Sequence, residues 1–413
     1  MNESPPSPGT LSTRRIYLLL CGSLAAQALG QSAMFAVMPS LGREVGLLEI
    51  QVGSIIAASS LVFFFAGPIW GRASDRFGRR KVFLIGQLGY VFGGSLFAAC
   101  FWAALEGWLT PLAAWLCLVG ARMTQATLMS ASQPAASAFI ADITGPHTRA
   151  RGLARIGAAT NLGSIAGPAI GGALASISLL APFVLAVVSV AVAFVASWFF
   201  LPLAPRLHDV NAPRRKVRFT DRRLTPWVIP GVLMFLGAAV VQQTFSFRLQ
   251  DALQLDPMAG ATAFGTTMTA SALAALLAQI VLVQRYSLSP GTWLGMGLPL
   301  IALALYGMGF FTTLPLFIAA NVVMGLGMGF AGAGFSAGAS LAVKPEEQGA
   351  ASGIIAACSS AGWIVGPLLG PGLYRVLPEL PFALSATLVL GAGIAVLWRV
   401  GRLRRLRGLH QRR

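Results

Sequence analysis

Long apolar runs, separated by short segments of charged and turn residues, account for most of the chain. A helix needs about 20 apolar residues to cross the hydrocarbon core of a bilayer, and twelve runs meet that demand. The first run is longer than the apolar core of a secretory signal peptide, so we expect it to be retained. The pattern predicts an all-α polytopic membrane protein. The predicted spans are 16–39, 50–70, 81–102, 111–140, 152–178, 182–203, 227–249, 259–284, 291–312, 315–342, 350–374 and 380–399.

The composition argues against a soluble globular protein. Only 10% of the 413 residues are charged, whereas a typical soluble domain carries about 25%. Hydrophobic residues make up 56% of the chain, and the mean hydropathy is +0.73. A globule of this size would have too few polar side chains to cover its surface, so we expect lipid to surround most of the chain.

The formal net charge of +17 is high enough to suggest a nucleic-acid ligand, but the placement of the basic residues argues otherwise. If the N-terminus is cytoplasmic, the predicted outer loops contain only Arg43 and Arg375. Most other basic residues fall in inner loops and tails, which is the positive-inside asymmetry of membrane proteins. We therefore expect a lipid bilayer and no nucleic acid as partner. The predicted location is a bacterial inner membrane, with several spans and both termini in the cytoplasm.

The chain divides into two similar halves. A motif of three glycines and a proline in the fifth predicted span recurs at one constant offset in the eleventh: Gly163, Gly167, Pro168 and Gly171 reappear as Gly362, Gly366, Pro367 and Gly370. Duplicated halves are typical of transporters, whose substrate site lies between them near the bilayer midplane. We predict two pseudo-symmetric six-helix bundles. The predicted divisions are an N-terminal tail (1–15), a first bundle (16–203), a cytoplasmic linker (204–226), a second bundle (227–399) and a basic tail (400–413).

The loop after the second predicted span carries a dense charged motif. It reads Gly71-Arg-Ala-Ser-Asp75-Arg76-Phe-Gly78-Arg79-Arg80, and it resembles the cytoplasmic signature G-x-x-x-D-R-x-G-R-[KR] of the major facilitator superfamily. We expect Gly71 and Gly78 to permit a tight turn. We expect Asp75 to pair with a nearby arginine and to suit a helix N-terminus, where a carboxylate is favoured.

The resemblance implies the major facilitator fold, with twelve helices, and a cytoplasmic gate. The gate residues would be Gly71, Asp75, Arg76, Gly78, Arg79 and Arg80. The resemblance also places the helix N-terminus that Asp75 faces near Gly349–Gly353, at the start of the eleventh span. The corresponding loop of the second half, residues 285–290, lacks the motif, so we expect only one half to keep the full gate.

The fifth span resembles the G-x-x-x-G-P-x-x-G-G signature of the antiporter branch of that superfamily. The motif residues are Gly163, Gly167, Pro168, Gly171 and Gly172. Glycines four apart share one helix face and allow another helix to approach closely, and Pro168 removes a backbone donor and allows a bend. Two interpretations stay open: ordinary glycine packing, or a tight, kinked interface between the bundles that limits leak in an exporter.

The fourth span carries a charge deep in its apolar run. Arg122 and Gln125 resemble the family's R-x-x-Q-G motif, although Ala126 replaces the glycine. A charged side chain inside a bilayer costs at least about 2.5 kcal/mol, so Arg122 must face a polar cavity or a partner. Its equivalent in the second half is Asn321, which has no charge. Cavity lining and a structural hydrogen-bond hub both remain possible roles.

Other polar residues follow helical spacing on the first and seventh spans. Gln27 and Gln31 are four apart, and Arg248 and Asp251 are three apart and could pair locally. Glutamines also join helices by hydrogen bonds, which is the alternative interpretation. The predicted substrate and proton cavity consists of Gln27, Gln31, Arg122, Gln125, Gln243, Phe247, Arg248, Asp251 and Asn321.

These features favour a secondary active transporter that exports a solute in exchange for protons. The resemblance is closest to tetracycline-type drug antiporters and to siderophore exporters such as the alcaligin type. A cavity with Arg122 and no unpaired acid favours a small polar or anionic solute. Proton coupling follows from the resemblance, with the proton gradient as energy source, no cofactor, and a monomer as the expected state.

Three alternatives stay open. A broad-specificity drug exporter fits the same motifs, and a nutrient uptake symporter fits the fold but not the antiporter signature. A membrane enzyme or receptor is disfavoured, because the sequence shows no catalytic nucleophile–base set, no phosphate-binding loop and no metal-ligand spacing among its cysteines and histidines.

Overall fold

A computed structural model of the chain describes residues 10–203, 221–286, 288–343 and 347–410. Within those ranges the regular structure is entirely helical. In the first half the helices are α1 (Thr10–Glu44), α2 (Glu49–Phe77), α3 (Arg79–Leu105), α4 (Pro111–Met129), α5 (Ser132–Ile143), α6 (Pro146–Ala175) and α7 (Ala181–Phe200). In the second half they are α8 (Thr225–Leu253), α9 (Pro257–Leu277), α10 (Val283–Arg285), α11 (Pro290–Phe310), α12 (Leu314–Leu341), α13 (Gln348–Tyr374) and α14 (Leu380–His410).

Each predicted span coincides with helical structure, but two spans are interrupted. The fourth breaks at Ser130 and Ala131 into α4 and α5. Pro134 explains the break, because it has no N–H for the carbonyl of Ser130 and its ring would clash there. The eighth span passes from α9 through a π-helical turn, Ala278–Leu282, into α10.

The terminal helices are longer than their apolar runs. α1 begins at Thr10, inside the predicted tail 1–15, and α14 continues to His410, inside the predicted tail 400–413. Residues 1–9 and 411–413 lie outside the described part of the chain, as do 204–220 of the predicted linker. Polar and basic residues thus extend both helices beyond their apolar runs.

The surface of these helices is apolar. Along α7, one face exposes Val184, Val188, Val192 and Val195, each at least 50% accessible. Such a valine stripe is unfavourable in water and suits hydrocarbon. Ten described helices are long and apolar enough to cross a membrane.

The helices pack into two compact units. One contains Met1–Met34 and Ala58–Asn211, and the other contains Phe35–Ala57 and Ala212–Arg413. In the first, α3 packs against α4, α5 and α7. In the second, α11 packs against α12 and α14, and α8 packs against α13. The end of α1 and the start of α2 fall in the second of these units.

Glycines bring α6 into backbone contact with α1. A Cβ atom on Gly163 would lie 2.2 Å from the carbonyl oxygen of Ala25, and one on Gly171 would lie 2.8 Å from that of Ala33. Residue numbers rise together along both helices, so the two run parallel. In the second unit, Gly362 approaches Phe235 and Gly366 approaches Ala239, which gives α13 the same kind of contact with α8.

The glycine contact with α1 agrees with one of the two interpretations of the antiporter motif, ordinary glycine packing. Gly163, Gly167 and Gly171 contact α1 residues of the same compact unit. The other interpretation, an interface between the bundles that limits leak, stays a prediction. Gly172 is also buried. Both interpretations rest on close helix approach at residues without a side chain.

We expect Gly163→Ala to destabilise the protein by about 1–3 kcal/mol, because the added methyl group would overlap the Ala25 carbonyl. Gly157→Ala is a matched control on the same helix, since a Cβ there would meet nothing within 4 Å. Alanine also has the higher helix propensity, so the control should keep or slightly raise the melting temperature. Thermal unfolding of the purified variants measures the difference. Equal melting temperatures would contradict the glycine contact.

Candidate functional site

The charged motif lies where α2 gives way to α3. α2 ends at Phe77 and α3 begins at Arg79, so Gly78 alone makes the turn. Its φ of 98° is in a region that side chains disfavour, which explains glycine there. Gly71 does not contribute to the turn as expected. It lies inside α2, because the helix continues past it for two more turns, and a Cβ on it would meet nothing within 4 Å.

Arg79 is the centre of this motif. Its guanidinium donates to the carboxylate of Asp75 one helical turn earlier, and its Nε donates to Asp142 Oδ2 at 2.9 Å. Asp142 is buried at the end of α5, where removing its charged partner would be strongly destabilising. Arg80 donates to the backbone carbonyl of Trp198, and the Arg76 guanidinium lies 5.4 Å from the Phe77 ring centroid. The motif thus ties α2, α3, α5 and α7 together within the first unit.

The expected pairing of Asp75 with an arginine is therefore present, and Arg79 is that arginine. The further expected contact, with the helix start near Gly349–Gly353, involves side chains outside the described part of the chain. That contact stays a prediction.

A second polar cluster belongs to the other unit and centres on Arg43. The two guanidinium Nη atoms of Arg43 donate to the Asp251 carboxylate at 2.6 and 3.0 Å, and one also reaches Glu49 at 3.0 Å. Tyr374 donates its hydroxyl to Asp251 Oδ2 at 2.6 Å. The guanidinium stacks on Phe247, 4.7 Å from the ring centroid. Four helices, α1, α2, α8 and α13, meet in this Arg43 cluster.

The Arg43 cluster continues along the same face of α8. Gln250 Nε2 donates to Ser40 Oγ at 2.9 Å, and Ser40 and Ser246 share a hydroxyl hydrogen bond of 3.2 Å. Arg248 turns away from Asp251, so the expected local pair between them is wrong. Its Nη1 lies 3.6 Å from Glu379 Oε1, and it donates to the Phe311 carbonyl at 3.4 Å. Arg43, from another helix, donates two N–H groups to the two oxygens of the Asp251 carboxylate.

Arg122 lies deep in α4 and is 3% exposed. It donates to the side-chain carbonyl of Gln125 on the next turn, and Gln125 Nε2 donates to the Tyr90 backbone carbonyl at 3.5 Å. Gly93 of α3 makes the room, because a Cβ there would lie 2.5 Å from Gln125. Tyr90 in turn donates its hydroxyl to Met34 Sδ at 3.7 Å. Arg122 and Gln125 thus form a hydrogen-bonded pair that links α4 to α3 and α1.

Several buried amides of the predicted cavity have spare hydrogen-bonding capacity. Gln243 is 1% exposed, and neither polar atom of its amide has a hydrogen-bond partner among the described residues. The buried oxygens Gln31 Oε1 and Asn321 Oδ1 likewise accept no hydrogen bond from a described residue. The nitrogen of the Asn321 amide, Nδ2, donates to the Phe317 carbonyl at 3.0 Å. Gln27 is 7% exposed. A buried amide without a partner costs free energy, so these groups suit a bound polar molecule or water.

Comparison with known proteins agrees with this architecture. The family model described as Major Facilitator Superfamily matches residues 20–282 and 231–410. The chain belongs to the Major Facilitator Superfamily.

Named relatives of this facilitator include drug-resistance proteins. It is 27% identical to "Multidrug resistance protein 1" of Bacillus subtilis over 92% of the chain and 95% of that protein. It is 32% identical to "Tetracycline resistance protein, class C" of Escherichia coli, over 43% of the chain and 42% of that protein. The second alignment therefore spans less than half of the relative.

Solved structures show the same fold. The human organic anion transporter MFSD10 superposes with a TM-score of 0.64 and 18% identity, over 95% of this chain and all of that chain. A crystal structure of the peptide transporter POT gives a TM-score of 0.71 with 13% identity, over 98% of both chains. The family match and the nearly full-length relative make this facilitator a multi-pass membrane transporter for small-molecule solutes, and not an enzyme.

Sequence reasoning missed several residues of both clusters. Arg43 carried a signal, because it was one of only two basic residues in the predicted outer loops. Asp142 carried a weaker one, as an acid at the end of an apolar run. Nothing in the local sequence identifies Tyr374 as a partner of Asp251. Gln87 of α3 is also buried, and its amide has no partner among the described residues.

We expect Asp251→Asn to lower the stability of the facilitator by about 1–3 kcal/mol, because it leaves the Arg43 guanidinium with weaker partners. Glu44→Gln is the matched control, since Glu44 neighbours Arg43 but is exposed. A double-mutant cycle of Asp251→Asn with Arg43→Gln, read by thermal unfolding, measures the coupling. Additive effects of the two substitutions would show that the pair contributes nothing to stability.

Proposed function

We propose that this facilitator exports small polar or anionic molecules, such as siderophores, in exchange for protons. Arg122 is the observation that carries the proposal: a buried arginine in a membrane helix, hydrogen-bonded on its own helix to the neutral Gln125. Such a charge favours an anionic or polar solute over a lipophilic cation. Gln31, in the same compact unit, adds an amide oxygen that suits a hydroxamate compound.

The direction of transport is supported by the relatives. Proteins named for multidrug and tetracycline resistance are similar to this chain, and resistance of that kind is consistent with efflux. The glycine motif of α6 matches the antiporter signature and contacts α1 by backbone approach. The solute would leave the cytoplasm across a bacterial inner membrane. The exporter would be a monomer with both termini in the cytoplasm.

The two ion clusters suit the gates that alternating access requires. In this proposal the Arg79 motif lies at the cytoplasmic end of the first unit and the Arg43 cluster at the outer end of the second. Each holds its helices by charged hydrogen bonds, which can exchange partners without loss of apolar packing. Asp75, Asp142 and Asp251 are carboxylates in these clusters, and each is a candidate for the coupling proton.

A broad-specificity drug exporter is the second candidate. The similarity to "Multidrug resistance protein 1" runs over nearly the whole chain, which is the specific observation in its favour. The two candidates differ in the charge of the preferred solute.

Inverted membrane vesicles that contain the facilitator should accumulate a hydroxamate siderophore when an inside-acid pH gradient is imposed. Nigericin, which collapses that gradient, should abolish accumulation, and vesicles without the protein give the background. Accumulation that survives nigericin would refute proton coupling. Uptake of the cationic dye ethidium, without uptake of the siderophore, would favour the drug exporter.

Arg122→Ala should lower export by about tenfold or more, because losing one charged contact of about 1.4 kcal/mol already has that effect. Arg151→Ala is the control, since Arg151 is an exposed arginine of the same unit. Surface expression and thermal unfolding confirm insertion. Full export by a well-inserted Arg122→Ala variant would remove Arg122 from the substrate site.

A further inference from the structure

A groove runs between the first turns of α1 and the corresponding part of α6, within the first unit. The two parallel helices touch where Gly163 meets the Ala25 carbonyl, and the groove occupies the space on the N-terminal side of that contact. Its volume is about 640 Å³. Ligand pockets for small organic molecules are of about 300–1,000 Å³, so the groove has the size of a solute site.

The walls of the groove are apolar and its mouth is basic. Leu18 and Ala25 of α1 and Leu162 of α6 contribute hydrocarbon, and Arg14 and Arg155 contribute one guanidinium from each helix. Both arginines are exposed, and neither forms an ion pair with a described residue. No acidic residue is among the described residues that line the groove.

Tyr17 positions one of these charges. The Arg155 guanidinium of α6 lies 5.1 Å from the centroid of the Tyr17 ring of α1. This contact joins the two helices. A guanidinium stacked on an aromatic face keeps its edge N–H groups available for an anion. The stack therefore reduces the conformational freedom of Arg155 without occupying its donors, which favours binding.

We propose that this groove binds an amphipathic organic anion, with its acidic group between Arg14 and Arg155 and its apolar body against Leu18, Ala25 and Leu162. The inference rests on the proposed export function and narrows the solute to this class. Arg14, Tyr17 and Arg155 lie outside the cavity predicted from the sequence, so the groove is a separate site at the end where both helices begin.

Two fluorescent probes with the same aromatic skeleton test the role of charge. Anilinonaphthalene sulfonate is an amphipathic anion, and N-phenylnaphthylamine is its neutral counterpart. Binding of each is measured to the full chain in phosphatidylcholine nanodiscs, with empty nanodiscs subtracted. The double variant Arg14→Gln/Arg155→Gln should raise the Kd for the sulfonate about tenfold, the effect of losing charged contacts, and leave the Kd for the neutral probe unchanged.

Matched controls lie beside both residues. Arg15→Gln/Arg151→Gln removes the same formal charge from exposed arginines of the same two helices, neither of which lines the groove. It should leave both dissociation constants unchanged. Ala159→Trp keeps the charges but fills the groove, and should block the sulfonate. If the double glutamine variant does not fold, the Ala159→Trp variant still tests whether the sulfonate binds in the groove.

Equal loss of sulfonate binding in the groove and control variants would overturn the inference, because charge alone would explain it. Unchanged binding in Ala159→Trp would also overturn it. Nanodiscs with phosphatidylglycerol test whether the occupant is a lipid: if that lipid abolishes sulfonate binding, and copurifies only with chains that keep both arginines, the groove is a lipid site. None of these binding measurements needs a pH gradient. Sulfonate binding to the groove can therefore be refuted while proton-driven export is confirmed, and export can be refuted while binding is confirmed.

Discussion

Charge in a medium that cannot solvate it is the constraint on which this structure depends. In an apolar environment an unpaired ion is costly, so each charge placed inside the helical units needs a partner within hydrogen-bond distance. Arg79 finds Asp142, and Arg43 finds Asp251. The helices that supply these side chains are thereby held together at defined points.

The clusters differ in what they can do for transport. The arginines of the Arg79 and Arg43 clusters hydrogen-bond mainly to carboxylates. Such clusters suit gates, whose ion pairs form and break together. Arg122 donates a hydrogen bond to a neutral amide on its own helix, and in the proposed function it is the residue that a polar or anionic solute contacts. The proposal thus assigns the gates and the solute contact to different residues.

The spans were predictable because lipid imposes one requirement on every crossing helix, a long apolar run. The break at Ser130 was not, because the apolar pattern continues through it and the cause is the proline four residues later. Motif residues were predictable as a group, and the partner choices were not. Asp251 was matched with Arg248 by helical spacing, yet Arg43 binds it from another helix. Spacing describes neighbours along one helix, whereas pairing is decided by which helices the fold brings together.

The glycine contact between α6 and α1 also bears on how easily the two helices shift past each other. Side chains on packed helices form ridges that fit the grooves of a neighbour and resist axial sliding. Where Gly163, Gly167 and Gly171 face the α1 backbone, α6 presents no ridges. Close approach and low resistance to shear thus come from the same residues. A displacement of α6 by a fraction of a turn would meet its main opposition from residues elsewhere in the unit.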